Sequence, residues 1–261
     1  SPSARTRERA LQLGVIHQAA TSAAQAVQGC DIVLLAVPVS RTAECLQAMA
    51  PFLSPDCLLM DVGSTKTDVA AAAAAHLGER LNCFVPAHPI AGKAQAGVDH
   101  AEASLYEDRR AILTPLTQTG ATQLQQAQQV WKAIGSHVSL MSPPAHDATF
   151  AAVSHVPHLL AFAAVNALSA QPQGAGFLAM AGPGFRDFSR IAASDPDVWR
   201  DILSANQAEV LTQTRHFRAA LEQFEKAIQS NDLEALRQLI DQASQVRSDW
   251  ALQTGPAEHE D

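Results

Sequence analysis

The chain has 261 residues, enough for one large domain or two modest ones with a buried core. Hydrophobic residues make up 47% and charged residues 17%, a globular composition that excludes an intrinsically disordered chain. The formal net charge of −8 argues against a nucleic-acid partner, because proteins that bind a phosphate backbone present basic surfaces. No membrane partner is expected either, because no uninterrupted apolar run reaches membrane-spanning length.

The four cysteines are spread along the first third of the chain. They are Cys30, Cys45, Cys57 and Cys83, and they form neither a CxxC pair nor a cluster with metal-ligand spacing. This pattern is typical of free thiols in a reducing compartment. We therefore expect a cytoplasmic protein without a structural metal.

Strand and helix signals alternate along residues 1–144. A short amphipathic helix is predicted over residues 3–13, ending at Gly14. Continuous apolar runs then predict strands buried on both faces of a parallel sheet, separated by segments with helical periodicity. The predicted strands are 31–38, 57–62, 82–86, 110–114 and 137–140, and the predicted helices are 41–50, 63–78 and 119–134. This alternation indicates an α/β domain with a doubly wound sheet.

The sheet lacks the usual beginning of a dinucleotide-binding domain, which is a strand, a glycine-rich turn and a helix. No GxGxxG motif occurs in the sequence. We therefore expect residues 1–144 to form an incomplete Rossmann-type domain whose first strand, glycine-rich turn, first helix and second strand precede Ser1. The residue that separates NAD from NADP would also precede Ser1, so the choice between these cofactors stays open.

From about Ala145 onward helical periodicity replaces the strand signals, which predicts an all-helical domain over residues 145–261. One stripe repeats at intervals of four and three residues. Its members are Val210, Thr214, Phe217, Leu221, Phe224 and Ile228. Asn231, with Glu234 three residues later, predicts the capped start of a last helix. Such stripes suit an intrachain core, and two long amphipathic helices also suit a homodimer interface.

Three loops follow predicted strands at the edge where open α/β sheets bind ligands. They are Val37–Val39, Gly63–Lys66 and His88–Gly92, and the candidate cofactor-binding residues are Val37, Pro38, Gly63 and Ser64. His88 is a candidate catalytic base, because a neutral imidazole accepts a proton near physiological pH. Ser64 is a candidate contact for an anion or a cofactor amide at a helix N-terminus, and simple helix capping is the alternative.

The helical half contains two further polar motifs. Ser154–His158 places two histidines three residues apart on one helix face, without further ligands at usable spacing for a metal. A contact with substrate and a buried structural histidine both remain open there. Arg186 and Arg190 are four residues apart, and Asp187 lies beside the first. One arginine is expected to form a structural ion pair, and the other a bidentate contact with a carboxylate.

Five segments in order along the chain resemble the prephenate/arogenate dehydrogenase family. They are LLAVP (34–38), DVGSTK (61–66), HPIAG (88–92), SHVPH (154–158) and GFRDFSRIAASDP (184–196), followed by Trp199. The resemblance implies a Rossmann domain followed by a helical dimerisation domain, with the active site in the cleft between them. It also implies NAD(P)-dependent oxidative decarboxylation of prephenate or arogenate to 4-hydroxyphenylpyruvate or tyrosine, within tyrosine biosynthesis.

The resemblance also implies roles for single residues. His88 corresponds to the histidine that hydrogen-bonds the ring hydroxyl of the substrate, and Ser64 to its neighbour at that hydroxyl and the nicotinamide. Arg190 corresponds to the arginine that binds a substrate carboxylate. His158 and Trp199 match further substrate-pocket positions.

Two departures from the family pattern leave the choice between prephenate and arogenate open. Ala94 stands where many members carry a glutamate, and no histidine occurs near Ala170 where some members have one. Two other functions are also weighed. One is another NAD(P)-linked hydroxyacid-type dehydrogenase, although residues 151–170 lack the lysine on which such enzymes rely. The other is a non-catalytic fragment, if the chain begins at Ser1.

Overall fold

A computed structural model of the chain describes residues 1, 3–92 and 97–251. Position 94, where the family pattern is broken, lies outside these ranges. The described chain forms two compact units. The first comprises residues 1–147 and 194–206, and the second comprises residues 148–193 and 207–251.

The first unit holds all strands found in the described chain. They are β1 Ile32–Leu35, β2 Leu58–Asp61, β3 Phe84–Val85, β4 Ala87–Pro89, β5 Arg110–Leu113 and β6 His137–Leu140. Its helices are α1 Ala4–Gln12, α2 Ala23–Val27, α3 Thr42–Met49, α4 Thr67–His76 and α5 Ala121–Ala133, with α10 Pro196–Ala205 added from later in the chain. Helix α6, Pro143–Phe150, passes from the first unit into the second. The second unit then contains α7 Val156–Ser169, α8 Gly174–Ala179, α9 Pro183–Ser189, α11 Gln207–Gln229 and α12 Leu233–Asp249.

The strands form two three-stranded sheets. Strands β1, β2 and β3 pair in parallel in that order. In the second sheet β5 lies between β4, which is antiparallel to it, and β6, which is parallel. The predicted fold class, an α/β domain of nucleotide-binding type followed by a helical domain, is confirmed.

Two details of the sheet differ from the sequence prediction. His88 was placed in a loop but lies in β4, opposite Ile112 of β5. Pro86 ends β3 because it has no N–H for a ladder, and the extended chain beyond it pairs with β5 instead. Strand β1 was expected to be buried on both faces, but Ile32 and Leu34 are about half exposed and line an open cavity of about 950 Å³.

Two apolar clusters lie on opposite faces of β2, because successive side chains of a strand point in opposite directions. Leu59 belongs to the cluster that includes Val69 of α4. Leu58 and Met60 belong to the other cluster, which includes Trp131 of α5. All four residues of β2 are buried, so this strand is the centre of the first unit.

The continuous helical segment Pro143–Ser169 runs through α6, a π-helical turn at Ala151–His155 and α7. It is the one helix in residues 1, 3–92 and 97–251 whose length and apolar composition would allow it to cross a membrane. A single helix of this kind is weak evidence for a membrane protein, since the central helix of a globular domain passes the same test. Its first turns carry two buried polar residues, His146 and Asp147.

The last two helices differ from the prediction in their connection. Asn231 adopts a φ of +52°, a left-handed conformation that asparagine tolerates, between α11 and α12. The capping side chain is that of Asp232, which accepts a hydrogen bond of 3.0 Å from the backbone N–H of Ala235. The cap expected at Asn231 is therefore wrong by one residue, and α12 begins one residue later than that cap implies, at Leu233.

The apolar stripe of α11 is buried at its start and exposed along its second half. Val210 is buried, whereas Leu221 is exposed and Ile228 has 64% of its surface accessible. Leu233 and Ile240 of α12 are likewise exposed. An apolar surface of this extent marks an interaction site, and a second copy of the chain would cover it.

We predict that Ile228→Glu weakens the dimer. The substitution replaces apolar contact with a carboxylate that must be desolvated, so the dimer dissociation constant should rise by about a hundredfold or more. Sedimentation velocity over a dilution series measures this constant. Gln229→Glu is the matched control, because it adds the same charge at the exposed polar neighbour. Equal dissociation constants for the two variants would show that the α11 stripe is not the interface.

Candidate active site

Asp61, the last residue of β2, organises the loop that follows its strand. Its Oδ2 accepts a hydrogen bond of 2.8 Å from Gly63 N and forms an ion pair with Lys66 Nζ. Its Oδ1 accepts a hydrogen bond of 3.0 Å from Ala87 N, and Lys66 Nζ donates to Ala87 O at 2.8 Å. The Lys66 side chain is fully buried. This ion pair therefore joins the loop after β2 to the strand that carries His88.

Gly63 lies where no larger residue fits. A Cβ built on it would be 2.9 Å from Asp61 Oδ2 and 3.0 Å from Val39 Cγ1. The loops after β1 and β2 thus approach each other closely at this glycine. These loops carry the predicted cofactor-binding residues, which are Val37, Pro38, Gly63 and Ser64. Val37 and Pro38 also line the cavity beside β1.

The first turn of α4 is capped by Asp147, a residue of α6. Its Oδ1 accepts a hydrogen bond from Lys66 N and its Oδ2 accepts one from Thr67 N, both at 2.8 Å. Helix α4 begins at Thr67, so Ser64 precedes the helix and does not cap it. The capping alternative for Ser64 is therefore wrong, and the two amides that Asp147 occupies are not available to an anion.

His88 begins a chain of hydrogen bonds that ends at the same carboxylate. Its Nδ1 lies 2.8 Å from His146 Nε2, and His146 Nδ1 lies 2.8 Å from Asp147 Oδ1. The His146 ring is fully buried, whereas His88 is partly exposed. Two buried side chains, His146 and Asp147, thus hold His88 through its Nδ1 atom.

The protonation states of this chain follow from burial and hydrogen bonding. Burial lowers the pKa of His146 and outweighs the opposite effect of Asp147, so His146 is neutral at pH 7. Burial tends to raise the pKa of Asp147, but the hydrogen bonds from His146, Thr67 and Lys66 outweigh it and lower the pKa overall. Asp147 is therefore an ionised carboxylate that only accepts hydrogen bonds.

The sequence analysis missed His146 and Asp147 as site residues. His146 is 58 residues from His88 in the chain, and no spacing pattern connects them. The only sequence feature that could have indicated them is the adjacent His-Asp pair just after Pro143 and Pro144. That pair becomes part of the site only because the fold brings α6 against β4 and the start of α4.

The second unit brings two other predicted residues together, His158 and Arg190. His158 Nδ1 donates a hydrogen bond of 2.9 Å to the carbonyl oxygen of Ser154, one helical turn earlier. Burial lowers the pKa of His158, and the positive charge of Arg190 lowers it further. Arg190 is exposed at the end of α9. A cation and a neutral imidazole thus lie near each other, an arrangement that suits an anionic ligand.

Arg186 forms the local ion pair expected for it, with its Nε 3.0 Å from Asp187 Oδ1. The two side chains are 75% and 70% exposed, however. Exposed pairs stabilise proteins little, because water screens the attraction and both side chains lose conformational freedom. The structural ion pair expected in this segment therefore forms at Arg186 but stabilises the fold little.

Trp199 lies on α10 and belongs to the first unit. Hydrogen bonds attach this helix to the rest of the unit. Ser40, just beyond the loop after β1, hydrogen-bonds Asp201, and Asn206 Nδ2 donates to Asp147 O at 2.8 Å. The helix that carries Trp199 is therefore linked to the loop after β1 and to α6.

Comparison with known proteins adds family relationships to this geometry. Residues 1–140 match the family model described as prephenate dehydrogenase, nucleotide-binding domain. Residues 142–242 match the model described as prephenate dehydrogenase, dimerization domain. The chain is 34% identical to a cyclohexadienyl dehydrogenase of Zymomonas mobilis, over 93% of this chain and 82% of that protein. It is 33% identical to a prephenate dehydrogenase of Bacillus subtilis, over 93% of this chain and 66% of that protein.

Solved structures agree with these relationships. A prephenate dehydrogenase from A. aeolicus, in complex with hydroxyphenyl propionate and NAD+, matches with a TM-score of 0.88 and 34% identity. That match covers 95% of this chain and 87% of the other. The Synechocystis arogenate dehydrogenase matches with a TM-score of 0.81 and 27% identity, over 95% and 89% of the two chains.

We predict that Lys66→Met lowers the free energy of unfolding by about 3–5 kcal/mol, because it leaves Asp61 as a buried charge without its cation. The double variant Asp61→Asn/Lys66→Met should lose less than the sum of the two single losses, since it leaves no buried charge. Urea denaturation of the four proteins in this cycle measures the coupling.

Arg9→Met is the matched control for that cycle, because Arg9 pairs with Asp99 on the surface and both side chains are about half exposed. It should change the unfolding free energy little. Additive losses at Asp61 and Lys66 would contradict the coupling.

Proposed function

The chain belongs to the prephenate dehydrogenase family, and we propose that it catalyses the reaction of that family with His88 as the base. It is an oxidoreductase of tyrosine biosynthesis that carries out NAD-dependent oxidative decarboxylation. The observation that carries the assignment of His88 is its position on β4, with Nδ1 held by the buried His146–Asp147 pair. The His146–Asp147 pair orients the imidazole of His88, whose other nitrogen, Nε2, accepts the proton of the substrate.

The residues at the carboxyl ends of β1 and β2 fit NAD. Open parallel sheets bind ligands at this edge. Val37 and Pro38, which follow β1, also line a cavity of about 950 Å³ that extends beside that strand. Val37 and Pro38 would contact the cofactor through apolar surface, and Gly63 keeps its loop clear of a side chain. Ser64, which does not cap α4, would hydrogen-bond the nicotinamide amide. Bound NAD+ supplies one piece of chemistry, the acceptance of a hydride from the ring carbon that bears the hydroxyl.

His88 and Ser64 act on the ring hydroxyl of the substrate. Ser64 orients the hydroxyl, and His88 Nε2 takes its proton as the hydride leaves the same carbon. The bond from the ring to the carboxylate then breaks, carbon dioxide leaves, and the electron pair of that bond completes the aromatic ring and leaves a phenolate oxygen. Cationic His88 returns its proton to that oxygen. The protein therefore contributes orientation and one well-placed proton acceptor, while aromatisation supplies the driving force.

Arg190, His158 and Trp199 form the proposed substrate-binding set. Arg190 supplies the positive charge that a substrate carboxylate requires, and its guanidinium can bind that group with two hydrogen bonds. Burial, with a further contribution from the charge of Arg190, lowers the pKa of His158, so it is a neutral polar contact at pH 7. Trp199 adds a flat apolar surface on α10 that suits a ring.

We also propose the setting in which the enzyme works. The exposed stripes of α11 and α12 support a homodimer. The four cysteines are free thiols, two of them buried, which supports a reducing cytoplasm. The functional division lies near residue 144, where the nucleotide-binding residues end and the helical substrate and dimerisation residues begin.

We predict that His88→Asn lowers kcat by about two to four orders of magnitude with little change in the KM for prephenate, because asparagine fills the space without accepting the proton. Steady-state formation of NADH measures both constants. His137→Asn is the matched control, because this histidine of β6 is partly exposed and lies beside Asp108. A His88→Asn variant with more than about half of wild-type turnover would remove His88 from the mechanism.

We predict a different outcome for the two arginines of the GFRDFSR segment. Arg190→Ala should raise the KM for prephenate by about 30- to 1000-fold and leave the KM for NAD nearly unchanged, because it removes the carboxylate anchor. Arg186→Ala should change kinetics and thermal stability little, since its ion pair is exposed. Kinetics and thermal unfolding of both variants test this assignment, and exchanged phenotypes would reverse it.

A further inference from the structure

We propose that Asp147, acting through His146, fixes the tautomer of His88 and thereby makes Nε2 of His88 the proton acceptor. Both residues are positioning residues, since neither is proposed to touch substrate or cofactor. The inference rests on the proposed function of His88 as the base.

The argument begins at Asp147, whose ionised carboxylate only accepts hydrogen bonds. Every group that contacts its oxygens must therefore bring a proton. Among these groups are the backbone N–H groups of Lys66 and Thr67 and the side chain of Thr67. His146 Nδ1 is another, at 2.8 Å, so that nitrogen carries the hydrogen.

The next step follows from the number of protons on a neutral imidazole. Neutral His146 carries one N–H, and because that proton is on Nδ1, its Nε2 has only a lone pair. His146 Nε2 can therefore only accept from His88 Nδ1, which lies 2.8 Å away. His88 Nδ1 must carry its proton, and in neutral His88 the lone pair is then on Nε2. The buried Asp147 carboxylate therefore determines which ring nitrogen of His146, and then of His88, carries the hydrogen.

The residues around His146 stabilise this arrangement of protons. The His146 ring is fully buried, so bulk water does not compete for its nitrogens. The charges of Lys66 and Asp61 also act on it, but they oppose each other and form a buried ion pair. The Asp147 carboxylate hydrogen-bonds His146 directly.

The same carboxylate also supports the state that forms when His88 takes the proton. A cationic His88 still donates from Nδ1 to His146, and the negative charge of Asp147 lies at the far end of the chain. Without these partners a histidine side chain in water populates both tautomers, and its ring is free to turn. The arrangement resembles the catalytic triads in which a buried carboxylate orients a catalytic imidazole. In such a triad the wrong histidine tautomer lowers kcat by about 10⁴-fold.

A matched pair of substitutions at one position tests the proposal. In His146→Gln the amide nitrogen must face the Asp147 carboxylate, so the amide oxygen faces His88 Nδ1 and the proton order is kept. His146→Leu removes the acceptor and releases the tautomer of His88. Nitrogen-15 chemical shifts of labelled histidine report which ring nitrogen is protonated, at a pH above the ordinary histidine pKa of about 6.5. Turnover of prephenate and NAD is measured on the same preparations.

We expect His88 of the wild-type enzyme and of His146→Gln to be protonated on Nδ1. His146→Leu should shift it towards the Nε2-protonated form and lower kcat about 100-fold or more, with the KM for prephenate changed less than about threefold. His146→Gln should keep kcat within about tenfold of wild type. Equal kcat losses in the two variants, or an unchanged tautomer in His146→Leu, would overturn the proposal.

The wild-type spectrum decides the case even when His146→Leu does not fold, because Nε2-protonated His88 in that spectrum would already contradict the inference. Failure of the proposed function looks different. In that case the wild-type spectrum shows the expected tautomer, but His88→Asn leaves turnover intact.

Discussion

The site depends on the way Lys66 is held from both ends. Its ammonium pairs with Asp61 at the end of β2, and its backbone N–H donates to Asp147 on α6. Each carboxylate also reaches the strand of His88, Asp61 through Ala87 and Asp147 through His146. A loop, a strand and a helix that are distant in sequence are thereby fixed around one buried residue. Such pre-organisation is what proton transfer requires, since small errors in position cost large factors in rate.

Most of the fold was predictable because it follows from local patterns. The apolar runs of β1 and β2 and the periodicity of α4 and α5 depend on short stretches of sequence. Where tertiary context decides, the prediction failed. The extended segment around His88 pairs with β5 because Pro86 interrupts β3, and the sequence does not reveal that partner. The exposed face of β1 depends in the same way on which elements pack against it.

The residues proposed to contact substrate and cofactor could be predicted from the sequence, but the buried residues that support His88 could not. Ser64, His88, Arg190 and Trp199 lie in short segments that resemble a family, and their proposed roles come from that resemblance. The residues that support His88 cannot be found this way, because a hydrogen bond between residues 58 positions apart leaves no periodic signal. Asp147 also takes the capping role that local rules would give to Ser64. A helix cap supplied by a distant segment is a property of the fold.

The cap on α4 also determines the electrostatic character of the cofactor edge. The start of a helix carries a partial positive charge from its aligned peptide dipoles, and this charge commonly attracts phosphate. In this protein the negative charge of Asp147 neutralises that end of the macrodipole. The end of β2 is therefore suited to the nicotinamide ring and its amide rather than to a phosphate group. Inorganic phosphate and the pyrophosphate of the cofactor gain no helix-dipole attraction there, which favours one orientation of the dinucleotide along the sheet.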